Sequence, residues 1–178
     1  MSEDCKDCRK PPEPSVCWPN DPDYLDGKTE IELPPERFTK VFWDADILDL
    51  DDKNKGDTIL GTEEVFKVRW RVELRGRLWK CICGDWYFDL GFTPIGREGA
   101  FLLSSLMPND PNFTYLNWRG CDTLCLERVI TVQPGTIKIP GDVEVFEVAA
   151  QIDMRCCDGH IAVAGYEALE EYEFFQGA

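Results

Sequence analysis

Phe66-Lys67-Val68-Arg69-Trp70-Arg71-Val72-Glu73-Leu74-Arg75-Gly76-Arg77-Leu78 is the stretch that decides the fold. Apolar side chains occupy Phe66, Val68, Trp70, Val72, Leu74 and Leu78, and charged ones occupy Lys67, Arg69, Arg71, Glu73, Arg75 and Arg77. A period of two places the first set on a core face and the second on a polar face of an extended strand, whereas a helix would smear both sets around its circumference. The alternation can be followed from Val65 to Cys83, which would span about 60 Å if fully extended. Gly76 is the expected point at which the run bends or divides.

A second run repeats the pattern: Phe146, Val148, Ala150, Ile152 and Met154 alternate with Glu147, Ala149, Gln151, Asp153 and Arg155. Asp158-Gly159 is a hairpin-turn signal, with His160 to Gly165 as the returning strand. The segments Glu64-Val65-Phe66-Lys67-Val68 and Glu144-Val145-Phe146-Glu147-Val148 match in their apolar phase, as two long strands would.

Working outward, Trp86 to Leu90 and Leu124 to Val132 read as strands, and Ile137 to Ile139 as a short one stopped by Pro140-Gly141. Glu98 to Leu106 fits strand or helix. Tyr166 to Phe175 settles on no period, although Tyr172 and Phe174 suit a final strand. The interval from Leu106 to Asp122 reads as a long loop carrying Phe113, Tyr115 and Trp118, and Asp44 to Asp57 as an acidic loop after the short apolar segment Val41-Phe42-Trp43. Residues 1–36 hold Pro11, Pro12, Pro14, Pro19, Pro22, Pro34 and Pro35 and are expected to form an irregular Pro- and Cys-containing arm. Residues 37–178 form a single β domain. The predicted class is all-β, a two-sheet antiparallel β-sandwich, with a closed β-barrel as the alternative.

The 178-residue chain is 43% hydrophobic and carries a net charge of -15. It can bury one substantial core, and its field repels phosphate backbones and anionic lipid, which argues against general nucleic-acid or membrane-surface binding. Met1-Ser2-Glu3-Asp4 is acidic where a signal peptide is basic, and the most apolar stretch, Ala100 to Met107, is far short of the roughly 20 residues that cross a bilayer. The expectation is a cytoplasmic protein without membrane insertion. Its cysteines, Cys5, Cys8, Cys17, Cys81, Cys83, Cys121, Cys125, Cys156 and Cys157, are expected mostly as buried thiols, since a domain of this size holds together without staples.

Candidate sites follow from charge and spacing. Lys67, Arg69, Arg71, Arg75 and Arg77, with Trp79 out of phase beyond them, form a candidate partner- or anion-binding face, because guanidinium forks suit carboxylates. The structural alternative is a cross-strand ladder with acidic neighbours. Asp44, Asp46, Asp49 and Asp51 are candidate calcium ligands, although Lys53 and Lys55 break the EF-hand pattern. Cys5, Cys8 and Cys17 have zinc-knuckle character but lack a fourth ligand. His160, the single histidine, lies beside Cys156, Cys157 and Asp158 and reads as part of a turn. There is no GxSxG elbow, Walker loop or dinucleotide fingerprint. The expected function is therefore a non-catalytic binding or structural-interaction domain that self-associates or binds a protein partner, with no cofactor beyond the candidate calcium or zinc. The alternatives are a barrel for a small hydrophobic ligand and a metal-dependent hydrolase.

Overall fold

The alternation between Phe66 and Arg75 becomes a strand, with Phe66, Val68, Trp70, Val72 and Leu74 turned inward and buried. The computed structural model describes residues 17, 28–31, 40–48, 58–76, 79, 82–156 and 161–176. Its strands in chain order are β1 (Lys28–Ile31), β2 (Lys40–Leu48), β3 (Ile59–Gly61), β4 (Phe66–Arg75), β5 (Cys83–Pro94), β6 (Phe101–Leu102), β7 (Thr114–Arg119), β8 (Cys125–Val132), β9 (Val143–Cys156) and β10 (Ile161–Phe175). One short helix, α1 (Leu103–Leu106), follows β6. Gly76, at φ 124°, ends β4 in a conformation that favours glycine.

The smaller sheet has the order β2-β4-β8 and is antiparallel throughout. The larger has seven strands in the order β1-β10-β9-β5-β6. In it β7 shares the β5 edge with β6, and β3 shares the β10 edge with β1. The pairing of β3 with β10 is parallel. Both sheets are open, so the molecule is a sandwich and the barrel alternative is set aside.

The inner faces are filled by large side chains, among them Trp43, Trp70, Trp86, Phe88, Phe146 and Phe174. Trp70 of β4 meets Phe88 of β5 at 6.2 Å between ring centroids, and Phe66 meets Phe174 of β10 at 6.1 Å, so aromatic pairs tie one sheet to the other. At one side of the sandwich the edge amide of Ala45 donates to Glu167 Oε2 of β10 at 3.2 Å. At the other, the Arg128 guanidinium of β8 lies 4.4 Å over the Tyr115 ring of β7. Gly165 lets the sheets meet closely, since a Cβ there would stand 2.6 Å from Ile152 Cγ1 and 2.9 Å from Trp43 Nε1.

Several expectations need correction. The arm is not irregular throughout: β1 lies within it, in the interval between Pro22 and Pro34 where no proline removes a backbone donor. The acidic loop starts later than expected, because β2 continues through Asp44 and Asp46 with Val41, Trp43, Ala45 and Ile47 inward. The long loop after Leu106 contains a 3-10 turn, Pro111–Phe113, and then β7, whose alternation is disturbed by Asn117 at φ 57°. Ile137 and Ile139 are buried but form no strand; they anchor a loop between Pro134 and Pro140. Glu98 to Leu106 proves to be both a short strand and a helical turn. Asp158-Gly159 lies outside the described residues, although the strands it would join, β9 and β10, pair antiparallel.

Candidate functional site

β2 and β4 pair so that Asp44 stands opposite Arg71 and Asp46 opposite Arg69. Arg71 grips Asp44 with both arms of its fork, Nε donating to Oδ1 at 3.1 Å and Nη2 to Oδ2 at 2.5 Å, and Nη2 also reaches Asp46 at 3.4 Å. Arg69 donates to Asp46 at 3.0 Å. Arg75 donates to Glu73 and lies 4.6 Å over the Phe42 ring. Although these side chains point away from the core, Arg71 is only 5% exposed and Glu73 only 1%. Burial pushes the Asp44 carboxyl above its usual range, with Arg71 and Arg69 pulling it back.

The predicted partner-binding set is therefore not one exposed basic face. Arg69, Arg71 and Arg75 are engaged in ion pairs, Lys67 is half-buried, and Arg77 lies outside the described residues. The counter-charges of Arg69 and Arg71, Asp46 and Asp44, come from the residues read as a loop, which are in fact the adjacent strand, and that of Arg75, Glu73, lies on β4 itself. Trp79 is fully buried: its Nε1 donates to the Lys40 carbonyl at 3.1 Å and its ring stands edge-on to Trp118 at 6.3 Å. The break at Gly76 cancels the phase that placed Trp79 on the outside.

The metal candidates are also redistributed. Asp44 and Asp46 face arginines, and Asp49, Asp51, Cys5 and Cys8 lie outside the described residues. Cys17 is joined to Cys125 of β8 by a disulfide, so its sulfur is no thiolate ligand. Among the described residues no group of three or more His, Cys, Asp or Glu side chains is placed to hold a metal ion. The disulfide is one exception to the expectation of mostly buried thiols and runs against the cytoplasmic one, because the cytosol keeps such pairs reduced. No helix among the described residues is long and apolar enough to cross a membrane.

The outer face of the larger sheet differs. Tyr87 and Asp89 of β5 stand opposite Asp153 and Gln151 of β9. Ser104 of α1, the segment Pro108 to Pro111 and Thr114 form a wall beside them, enclosing a groove of about 560 Å³. The wall is fastened by two carboxylates. Asp89 accepts from the Ser104 amide at 3.1 Å and from its hydroxyl, and Asp110 accepts from the Asn112 amide at 2.8 Å and side chain at 2.9 Å. Asp153 is held differently. Burial raises its carboxyl above the usual range and Arg155 offsets this in part. The Arg155 guanidinium lies 4.6 Å over the Tyr87 ring. Among the described residues the side chains of Asp153 and Gln151 and the Tyr87 hydroxyl make no hydrogen bond within the chain.

Sequence reasoning missed this groove. Its residues come from β5, β9 and the interval read as a featureless loop, and only the β5–β9 register brings them together. The available signal was the outward phase of Tyr87, Asp89, Gln151 and Asp153 on two strong strands.

No protein-family model matches the chain, and no curated protein matches it. It is similar to a solved structure described as the ApaA protein from Bordetella pertussis, at 10% identity and a TM-score of 0.34, covering 80% of this chain and 98% of that one. It is also similar to an X-ray structure of the structural-genomics target SoR45, at 6% identity and a TM-score of 0.30, covering 79% of this chain and 88% of that one. Likenesses this remote carry no argument about what the chain does.

Proposed function

We propose that this chain is a non-catalytic protein-binding β domain that receives a segment of its partner in the groove on the outer face of the larger sheet. The observation that carries this reading is the state of the groove floor: a half-buried carboxylate, an amide and a phenol lie side by side in a concavity, and no other side chain of the described residues hydrogen-bonds to them. A concave site with a few convergent polar groups is the usual form of a binding pocket. A second copy of the chain is one partner that this reading admits.

The two alternatives have less support. A barrel for a hydrophobic ligand needs an enclosed interior, and here the inner faces are filled by Trp43, Trp70, Trp86 and Phe88. A hydrolase needs convergent carboxylates at liberty to act, and two of the three in the groove, Asp89 and Asp110, are engaged in fastening the wall.

Selection of random peptides displayed on phage against the full chain tests the proposal. Selected peptides are expected to lose binding when Tyr87→Ala or Gln151→Ala is introduced. Peptides that bind these variants as well as the parent, or a selection that yields none, would overturn it. Sedimentation velocity at micromolar concentration reports separately whether a second copy is a partner.

A further inference from the structure

We infer that the groove recognises a lysine or arginine side chain, whose cationic head is received by Asp153 while its aliphatic stem lies along the wall. This rests on the groove being the binding site. Asp153 is directly opposite Tyr87 in the antiparallel register, and Gln151 is the next outward residue on the same strand. The cation nearest to Asp153 in sequence, Arg155, belongs to the adjacent register pair with Asp85 and lies over the Tyr87 ring; it acts on Asp153 from a distance, and no ion pair joins the two among the described residues.

Ligand classes separate on this arrangement. The groove lining contains three aspartates and one arginine, in a chain of net charge -15, so an anion is repelled. An apolar ligand would desolvate Asp153 further with nothing to satisfy it. An ammonium or guanidinium group supplies directly contacting charge and N–H donors together, neither of which Arg155 gives, and the strongest hydrogen bonds to a carboxylate are those from such cations. Leu102, Pro108 and Pro111 give the stem an apolar surface to cover, as long basic side chains prefer.

The test uses three acetylated and amidated hexapeptides of otherwise equal sequence, bearing two lysines, two acetyl-lysines or two glutamates. Each is titrated into the full-length chain in 150 mM salt, so that loose attraction to an acidic surface is screened (Debye length about 8 Å), and amide shifts are followed by NMR. The lysine peptide is expected to shift Tyr87, Gln151 and Asp153 saturably. Asp153→Asn should weaken it about ten-fold, the loss of roughly one charge-assisted hydrogen bond, while Glu171→Gln on the same sheet face leaves it unchanged. If the acetyl-lysine peptide binds the groove equally well, or Asp153→Asn binds the lysine peptide like the parent, the cation assignment is wrong while the groove remains a binding site. If lysine-peptide shifts scatter over the surface or none of the peptides shifts the groove, the cation assignment also fails; the phage selection then decides the groove independently. Unchanged amide dispersion of Asp153→Asn shows that its loss of binding is not a loss of fold.

Discussion

Asp44 and Asp153 lie on opposite outer faces of one sandwich, and burial pushes both carboxyls above their usual range, yet the surroundings answer them in opposite ways. On the small sheet, the two arms of Arg71 close on Asp44, Asp46 joins in, and the row is largely shut away from solvent. On the large sheet, Asp153 faces a groove and the nearby guanidinium is turned onto an aromatic ring. The difference teaches that a row of arginines in a sequence is a poor guide to a binding face, because the neighbouring strand decides whether the charge is already answered. A carboxylate answered only in part, in a concave place, is the pointer that the proposal here follows.

The contrast can be broken or sharpened by experiment. The largest effect is expected from the disulfide that pins Cys17 beside the small sheet. It joins residues 108 apart, and a loop of that size contributes roughly 5 kcal/mol through the restricted unfolded chain. Urea denaturation with and without reductant should show that loss, and an unshifted midpoint would mean the pair is not oxidised in solution. Next, Arg71→Ala leaves Asp44 buried without its fork and should cost about 3 kcal/mol. The double replacement Arg71→Met with Asp44→Leu should recover most of that, as an answered ion pair exchanged for apolar packing does. If the single and double variants are equally unstable, the pairing is not what holds the face together. Gly165→Ala, which drives a methyl into Ile152 and Trp43 where the two sheets meet, should cost about 1–3 kcal/mol by the same measurement.

The smallest effect has the opposite sign. The folded-state carboxyl of Asp153 is raised, so between the unfolded value and the folded one the native state holds more protons. Stability from this source therefore falls as pH rises through that window, and the penalty is fully present at neutral pH. Asp153→Asn removes it and should stabilise the protein at pH 7 by less than about 1 kcal/mol after solvent screening, with no gain below both values. Thermal melts at pH 3 and pH 7 check the sign. A destabilised variant at pH 7 would show that Asp153 has a structural partner after all.

The strands with uninterrupted period-two patterns were legible from residues alone: β4, β9, the core of β5, and β8 within one residue. β10 was not, and its register with β9 explains why. A shift falls between Ala168 and Glu171, so the inward residues change from Val163 and Gly165 to Tyr172 and Phe174, odd numbers before the shift and even after it. No single period can describe such a strand. Asp44 and Asp46 read as loop in the sequence because the acidic run continues to Asp57 and charge in bulk favours solvent; the inward set Trp43, Ala45 and Ile47 is the signal that this outweighs. The groove stayed hidden for a third reason. Its polar residues are ordinary in their own segments and acquire meaning only from a pairing of strands far apart in the chain.

The bond between Cys17 and Cys125 makes a covalent ring that encloses β1 through β7 and leaves β9 and β10 outside it. A single protease cut within the ring opens a polypeptide that still runs as one molecule until reductant is added. A single cut between β9 and β10 instead severs β10 from the rest of the chain, with no sulfur bridge to retain it. Paired reducing and non-reducing gels after limited digestion would thus report which side of Cys125 was cut.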